Sequence, residues 1–161
     1  MEKYLRRIYK PFYVSKYNRI IKRARTKIKG LDLDDGIPDK RENYLEEEDK
    51  IKHIGLRILS CIKLLSEEYE FKFSLAYGTL LGAIRHDGFI PWDDDIDIFM
   101  TKSDFNKFIS VSHELPESLK VFPMDVEFFK VMDRSSIVSL DGLRGVAVDI
   151  FILKEKNEDQ V

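Results

Sequence analysis

The chain has 161 residues, 43% of them hydrophobic and 35% charged, with 8 Gly and 5 Pro. That length suits one domain, and that composition excludes disordered, low-complexity and collagen-like chains. The single cysteine, Cys61, excludes an internal disulfide and a thiolate zinc cluster within the chain, which suits a reducing compartment. No apolar run nears the ~18–20 residues of a membrane span, and the N-terminus lacks the apolar core of a secretory signal. The expectation is a cytoplasmic globular protein.

The net charge of −2 hides an asymmetry. Residues 1–30 carry 11 Lys/Arg against one acid, Glu2, a net of +10, which leaves −12 on residues 31–161. The basic segment interleaves its cations with Leu5, Ile8, Tyr9, Phe12 and then Tyr13, Tyr17, Ile20, Ile21. That spacing is helical, interrupted at Pro11. An aromatic stripe among cations suits an anionic membrane surface, a peripheral site on the inner face of the plasma membrane. It equally suits a helix docked on the rest of the chain, and less well a nucleic-acid backbone, which is not the expected partner. Residues 31–43, with Gly36 and Pro38, read as a linker.

From Tyr44 onward the pattern reads as one core, residues 44–161. Ile51, Ile54, Ile58, Ile62, Leu65 and Tyr69 recur every three or four positions, predicting an amphipathic helix over 45–69. Residues 71–77 read as a short buried strand, 80–85 as a helical turn and 95–100 as a second strand. Thr101 or Ser103 is placed to cap a helix running to His113, stopped before Pro116. Residues 121–122, 127–132, 137–140 and 146–153 read as further strands. The fold class is α+β: a mixed β-sheet with flanking helices, preceded by the basic helical segment.

The informative stretch is Tyr77–Ile98. Asp93, Asp95 and Asp97 alternate with Asp94, Ile96 and Ile98. In a strand, side chains at i and i+2 share a face ~6.5–7 Å apart, so Asp95 and Asp97 can converge on a divalent ion while Ile96 and Ile98 anchor the core. Carboxylates this close repel one another unless a cation joins them. An EF-hand fails, because counting from Asp93 puts Ile98 where the loop requires Gly and Asp104 where it requires Glu. Upstream, Gly78-Thr79 follows a strand and opens a helix, where backbone N–H groups can hold phosphate. Downstream, Asp149 is the one acid in the apolar strand around 146–152. A buried carboxylate needs a cation or donors, and Arg134 or Arg144 could instead pair with it. Trp92 is expected to pack the aspartate loop. His53, His86 and His113 show no metal spacing.

Residues Tyr77–Ile98 closely resemble the LicD family of phosphocholine transferases and fukutin-type phosphotransferases. Weaker resemblance runs over about 44–153, through Phe129–Arg134 and Gly145–Phe151. The resemblance implies a nucleotidyltransferase fold and transfer of a phospho-alcohol, such as phosphocholine from CDP-choline, to a hydroxyl of lipopolysaccharide, teichoic acid or capsule. It makes Asp95, Asp97 and Asp149 the catalytic carboxylates and the ligands of Mg2+, or of Mn2+, with Asp149 suited to orient the acceptor hydroxyl. It puts Gly78, Thr79, Arg85, Lys130 and Arg134 beside the donor phosphates. Nucleotidyl transfer with release of pyrophosphate is a second enzymatic reading. A non-catalytic relative that binds nucleotide or membrane is a third. After Asp149 the family usually continues Phe-Pro-Leu-Asp, whereas this chain has Phe151-Ile152-Leu153-Lys154. Family members continue well past the position of Val161, so a second polypeptide is expected to complete the acceptor site.

Overall fold

The computed structural model describes residues 37–136 and 145–154. The basic segment 1–30 and the expected strand at 137–140 lie outside the described residues.

The first long element is helix α1, Glu47–Glu68. Glu47, Glu48 and Asp49 occupy its first turn, where the positive end of the helix dipole favours acids. Ile54, Ile58, Ile62 and Leu65 are buried along one stripe, as the periodicity predicts. Its end is a turn in which Glu70 takes a positive φ of 53°. The segment ahead of α1, read as the end of a linker, lies against the core. Ile37 is buried, and a short 3-10 turn spans Arg41–Asn43.

Five strands then form one mixed sheet in the order β1-β2-β5-β4-β3. They are β1, Ser74–Leu75; β2, Ile96–Thr101; β3, Leu119–Asp125; β4, Phe128–Asp133; and β5, Ala147–Leu153. Central β2 and β5 run parallel, and the other neighbours pair antiparallel. Strand β2 alternates buried Ile96, Ile98 and Met100 with half-buried Asp97, Phe99 and Thr101. One face therefore carries the core and the other stays open. Ile96, Ile98, Val148 and Ile150 share that core with Ile58 and Ile62 of α1 and with Phe105 and Phe108 of α3, Lys102–Val111. Thr101 caps α3, its hydroxyl oxygen accepting from the Asp104 N–H at 3.1 Å.

The expected strand over 71–77 shrinks to Ser74–Leu75, because helix α2 begins at Tyr77 and runs to Arg85. Phe71, Phe73 and Leu75 alternate as in a strand, but that alternation stops at Ala76 and says nothing of Tyr77. The early helix start is decided by tertiary bonds to β2, described next.

Candidate active site

Helix α2 starts against the carboxylate strand. The Ala76 N–H donates to the Asp97 carbonyl at 2.9 Å, and the Asp97 N–H donates to Thr79 Oγ1 at 2.8 Å. Thr79 thus locks the first turn of α2 to Asp97, in addition to lying where a phosphate would meet the helix N-terminus. Gly78 has its own reason. A Cβ there would stand 2.6 Å from Asp93 Oδ2, so glycine lets the Asp93 carboxylate lie against the turn.

Asp97 of β2 and Asp149 of β5 are register partners on neighbouring parallel strands. They share the open face, with strands ~4.8 Å apart. Asp95 precedes β2 rather than lying in it, yet its charge acts on Asp93, Asp97 and Asp149. Burial pushes the Asp97 carboxyl up to about 6, with Asp95, Asp149 and Asp93 adding repulsion. Burial also raises Asp149, against the opposing pull of Lys130, and it raises Asp93, with a hydrogen bond to Asp95 acting in the same direction. Lys130, the β4 partner of Asp149, donates to Asp149 Oδ2 at 2.8 Å. The ion-pair partner of Asp149 is therefore Lys130, not Arg134.

The structure brings Gly78, Thr79, Asp95, Asp97, Asp149 and Lys130 together. It does not bring in two others. Arg85 is exposed in the last turn of α2, about 9 Å along the helix from Thr79. Arg134 lies past the end of β4, its guanidinium turned to the Glu117 carbonyl at 3.4 Å. Trp92 does not pack the loop either: it is 84% exposed, in a turn, and Ile90 instead meets α2 at Gly82.

Some neighbours escape a motif search. Two residues along each strand from the charged row, Phe99, Phe151 and Phe128 form an aromatic row. Phe128 and Phe151 stack at 4.8 Å, and Tyr77 stands edge-on to Phe99 and Phe151 at 5.1 and 5.3 Å. Tyr77 holds a positive φ of 39°, a strained conformation for an aromatic residue. The signal was present as the i, i+2 alternation from Asp97 to Phe99 and from Asp149 to Phe151. Gly82 is the other. A Cβ there would meet the Gly88 carbonyl at 2.6 Å and the Ile90 nitrogen at 2.9 Å.

Carboxylate oxygens that repel one another are the donors a hard divalent ion prefers, and in that respect the cluster fits magnesium. The arrangement is not closed around an ion, however. Among the described residues, no three His, Cys, Asp or Glu side chains are grouped to hold a metal. One Asp149 oxygen is engaged by Lys130.

A helix N-terminus beside Asp95 and Asp97, with a third acid on the parallel neighbour, is the arrangement expected of a nucleotidyltransferase-type site. The chain belongs to the LicD family: residues 70–161, more than half its length, match the domain described as LicD/FKTN/FKRP, nucleotidyltransferase domain. Over 58 residues it is 52% identical to the lipopolysaccharide cholinephosphotransferase LicD of Haemophilus influenzae, covering 36% of this chain and 22% of that protein. It is also 38% identical over 65 residues to an uncharacterized protein of Rickettsia prowazekii, covering 37% of this chain and 24% of that one. The matches thus span about a quarter or less of the length of these curated relatives. No described helix is long and apolar enough to cross a membrane.

Proposed function

We propose that this chain carries the donor site of a magnesium-dependent phosphotransferase. The donor is a CDP-alcohol of the CDP-choline type, and the acceptor is a hydroxyl of a cell-surface glycan such as lipopolysaccharide, teichoic acid or capsule. The observation that carries this reading is the Asp97–Asp149 register pair, set beside the first turn of α2. Kinship with a lipopolysaccharide cholinephosphotransferase supports the substrate class.

In the proposed reaction the acceptor oxygen bonds to the distal phosphorus. The bond from that phosphorus to the bridging oxygen breaks, and CMP leaves with the electron pair. The first-turn N–H groups of α2 at Gly78 and Thr79 hold the donor phosphates, and Lys130 supplies a further cation. Magnesium held by Asp97, Asp149 and Asp95 would neutralise charge on the phosphates. Asp149 orients the acceptor hydroxyl and takes its proton. The basic aromatic segment 1–30 serves as a contact to the anionic inner face of the plasma membrane.

Calorimetry with CDP-choline, with and without magnesium, tests the donor site. Asp97→Asn should abolish magnesium-dependent binding while the fold survives. Equal affinity of parent and variant under both conditions would sink the metal assignment. Product analysis decides the reaction type: CMP and labelled glycan support phospho-alcohol transfer, whereas pyrophosphate supports nucleotidyl transfer.

A further inference from the structure

Lys130 stands where three demands meet. Its ammonium donates to Asp149 Oδ2 at 2.8 Å and lies 5.4 Å from the centre of the Phe128 ring. Both side chains are largely shielded, at 22% exposure for Lys130 and 13% for Asp149. The same ammonium also opposes the rise of Asp97. A shielded carboxylate pair flanked by further aspartates is unstable without positive charge, and Lys130 supplies it from within the chain. A divalent ion that took that Asp149 oxygen would stand beside the Lys130 ammonium and be repelled by it.

We propose that Lys130 is an exchangeable counter-ion: it holds Asp149 in the ligand-free protein and passes to the donor phosphates when a divalent ion takes the carboxylate. This rests on the metal reading given under Proposed function and adds an order to it. Metal alone must displace a shielded cation and leave the ammonium without its carboxylate. Donor alone brings phosphates towards uncompensated aspartates. Together, each relieves the cost of the other, so metal and nucleotide bind cooperatively. Linkage makes that coupling reciprocal. Lys130 is on this view a positioning residue for Asp149 as well as a phosphate contact.

The test measures Mn2+ binding to the full chain by electron paramagnetic resonance, with and without CDP, in the parent, Lys130→Met and Lys130→Arg. Without nucleotide, Lys130→Met should bind Mn2+ more tightly than the parent, by on the order of tenfold, because the competitor is gone. With Mn2+ present, the same variant should bind CDP more weakly, by a similar factor. Opposite signs from one substitution are not what a merely structural lysine would give. Lys130→Arg keeps the charge and should bind Mn2+ alone as weakly as the parent, and it serves if the Met variant unfolds: an Arg variant that binds Mn2+ alone much more tightly than the parent overturns the exchange. Unchanged or weaker Mn2+ binding in a folded Lys130→Met, or no binding in either chain, overturns it too. A gain in Lys130→Met that persists when Asp97 is also Asn puts the ion elsewhere and overturns the metal reading with it.

Discussion

Two groups of charge occupy this small sheet, and they are built in opposite ways. At the end of β4, Asp133 is fully buried. Its carboxylate accepts from Arg41 Nη2 at 2.7 Å, Ser135 Oγ at 2.6 Å and the Ser136 N–H at 3.0 Å. Arg41 is pushed well above the ordinary guanidinium range by Asp39 and then, against desolvation, by Asp133. Nearby, buried Arg57 donates to the Ile37 carbonyl at 2.9 Å and to Ser118 Oγ at 3.1 Å. Charge there is matched, with Asp133 and Arg57 closed off from solvent, and it pins residues 37–43 to the core. On the open face, burial and the charge of Asp95 raise Asp93, Asp97 and Asp149, and Lys130 answers the last two. Matched, buried charge acts as structure. Carboxylates that outnumber their cation store a preference for a ligand.

If that contrast is right, removing one acid from each group should move stability in opposite directions. Asp133→Ala leaves Arg41 with Asp39 alone and strands the donors of Ser135 and Ser136, and should destabilise by about 2–3 kcal/mol in urea unfolding. Asp97→Asn removes repulsion and should stabilise by about 1 kcal/mol at neutral pH, after allowance for solvent screening. The same sign for both would erase the distinction.

Glycines sharpen the comparison at a smaller scale. Gly82→Ala drives a methyl into the backbone of Gly88 and Ile90, neither of which can step aside, and should cost about 1–3 kcal/mol. Gly78→Ala meets only the tip of the Asp93 side chain, which can rotate away. Its melting temperature should stay close to the parent, while CDP-choline affinity falls as the loop opens. A collapse of Gly78→Ala to the level of Gly82→Ala would show the loop to be structural.

The pH dependence separates the groups again. Folding raises Asp97 from its usual 3.8 to about 6. The folded chain thus holds that proton more tightly than the unfolded one. The contribution to stability is complete below pH 4 and is lost as pH rises through 6. Denaturation followed between pH 4 and 7 should show this falling limb, and Asp97→Asn should flatten it by about 1 kcal/mol. A limb unchanged in the variant would assign it to another group.

The smallest effect on the site is expected from the N-terminal segment. Deleting residues 1–30 removes ten net positive charges. It should abolish salt-sensitive sedimentation with anionic vesicles, and leave magnesium-dependent CDP-choline binding intact. Equal sedimentation of both forms would favour a segment docked on the core.

Local order was sufficient for much of this protein. The 3.6-residue stripe of α1 and the alternation in β2 and β5 follow from which side chains water excludes, and they survive intact in the fold. Asp97 and Asp149 were legible as a pair because each is an acid in an apolar strand, and such an acid must have a partner. Which partner was not legible. Lys130 rather than Arg134 faces Asp149 because the β4–β5 register, a relation between distant segments, puts it there. Trp92 faces solvent for a similar reason: Ile90 has already filled the place against Gly82. The burial of Ile37 and the pairing of Arg41 with Asp133 at a sheet end that only the finished fold creates could not be read from a stretch with a linker's composition. Periodicity is a property of neighbours in sequence. Ion pairing, register and the choice of the open face are properties of neighbours in space, and only tertiary structure decides them.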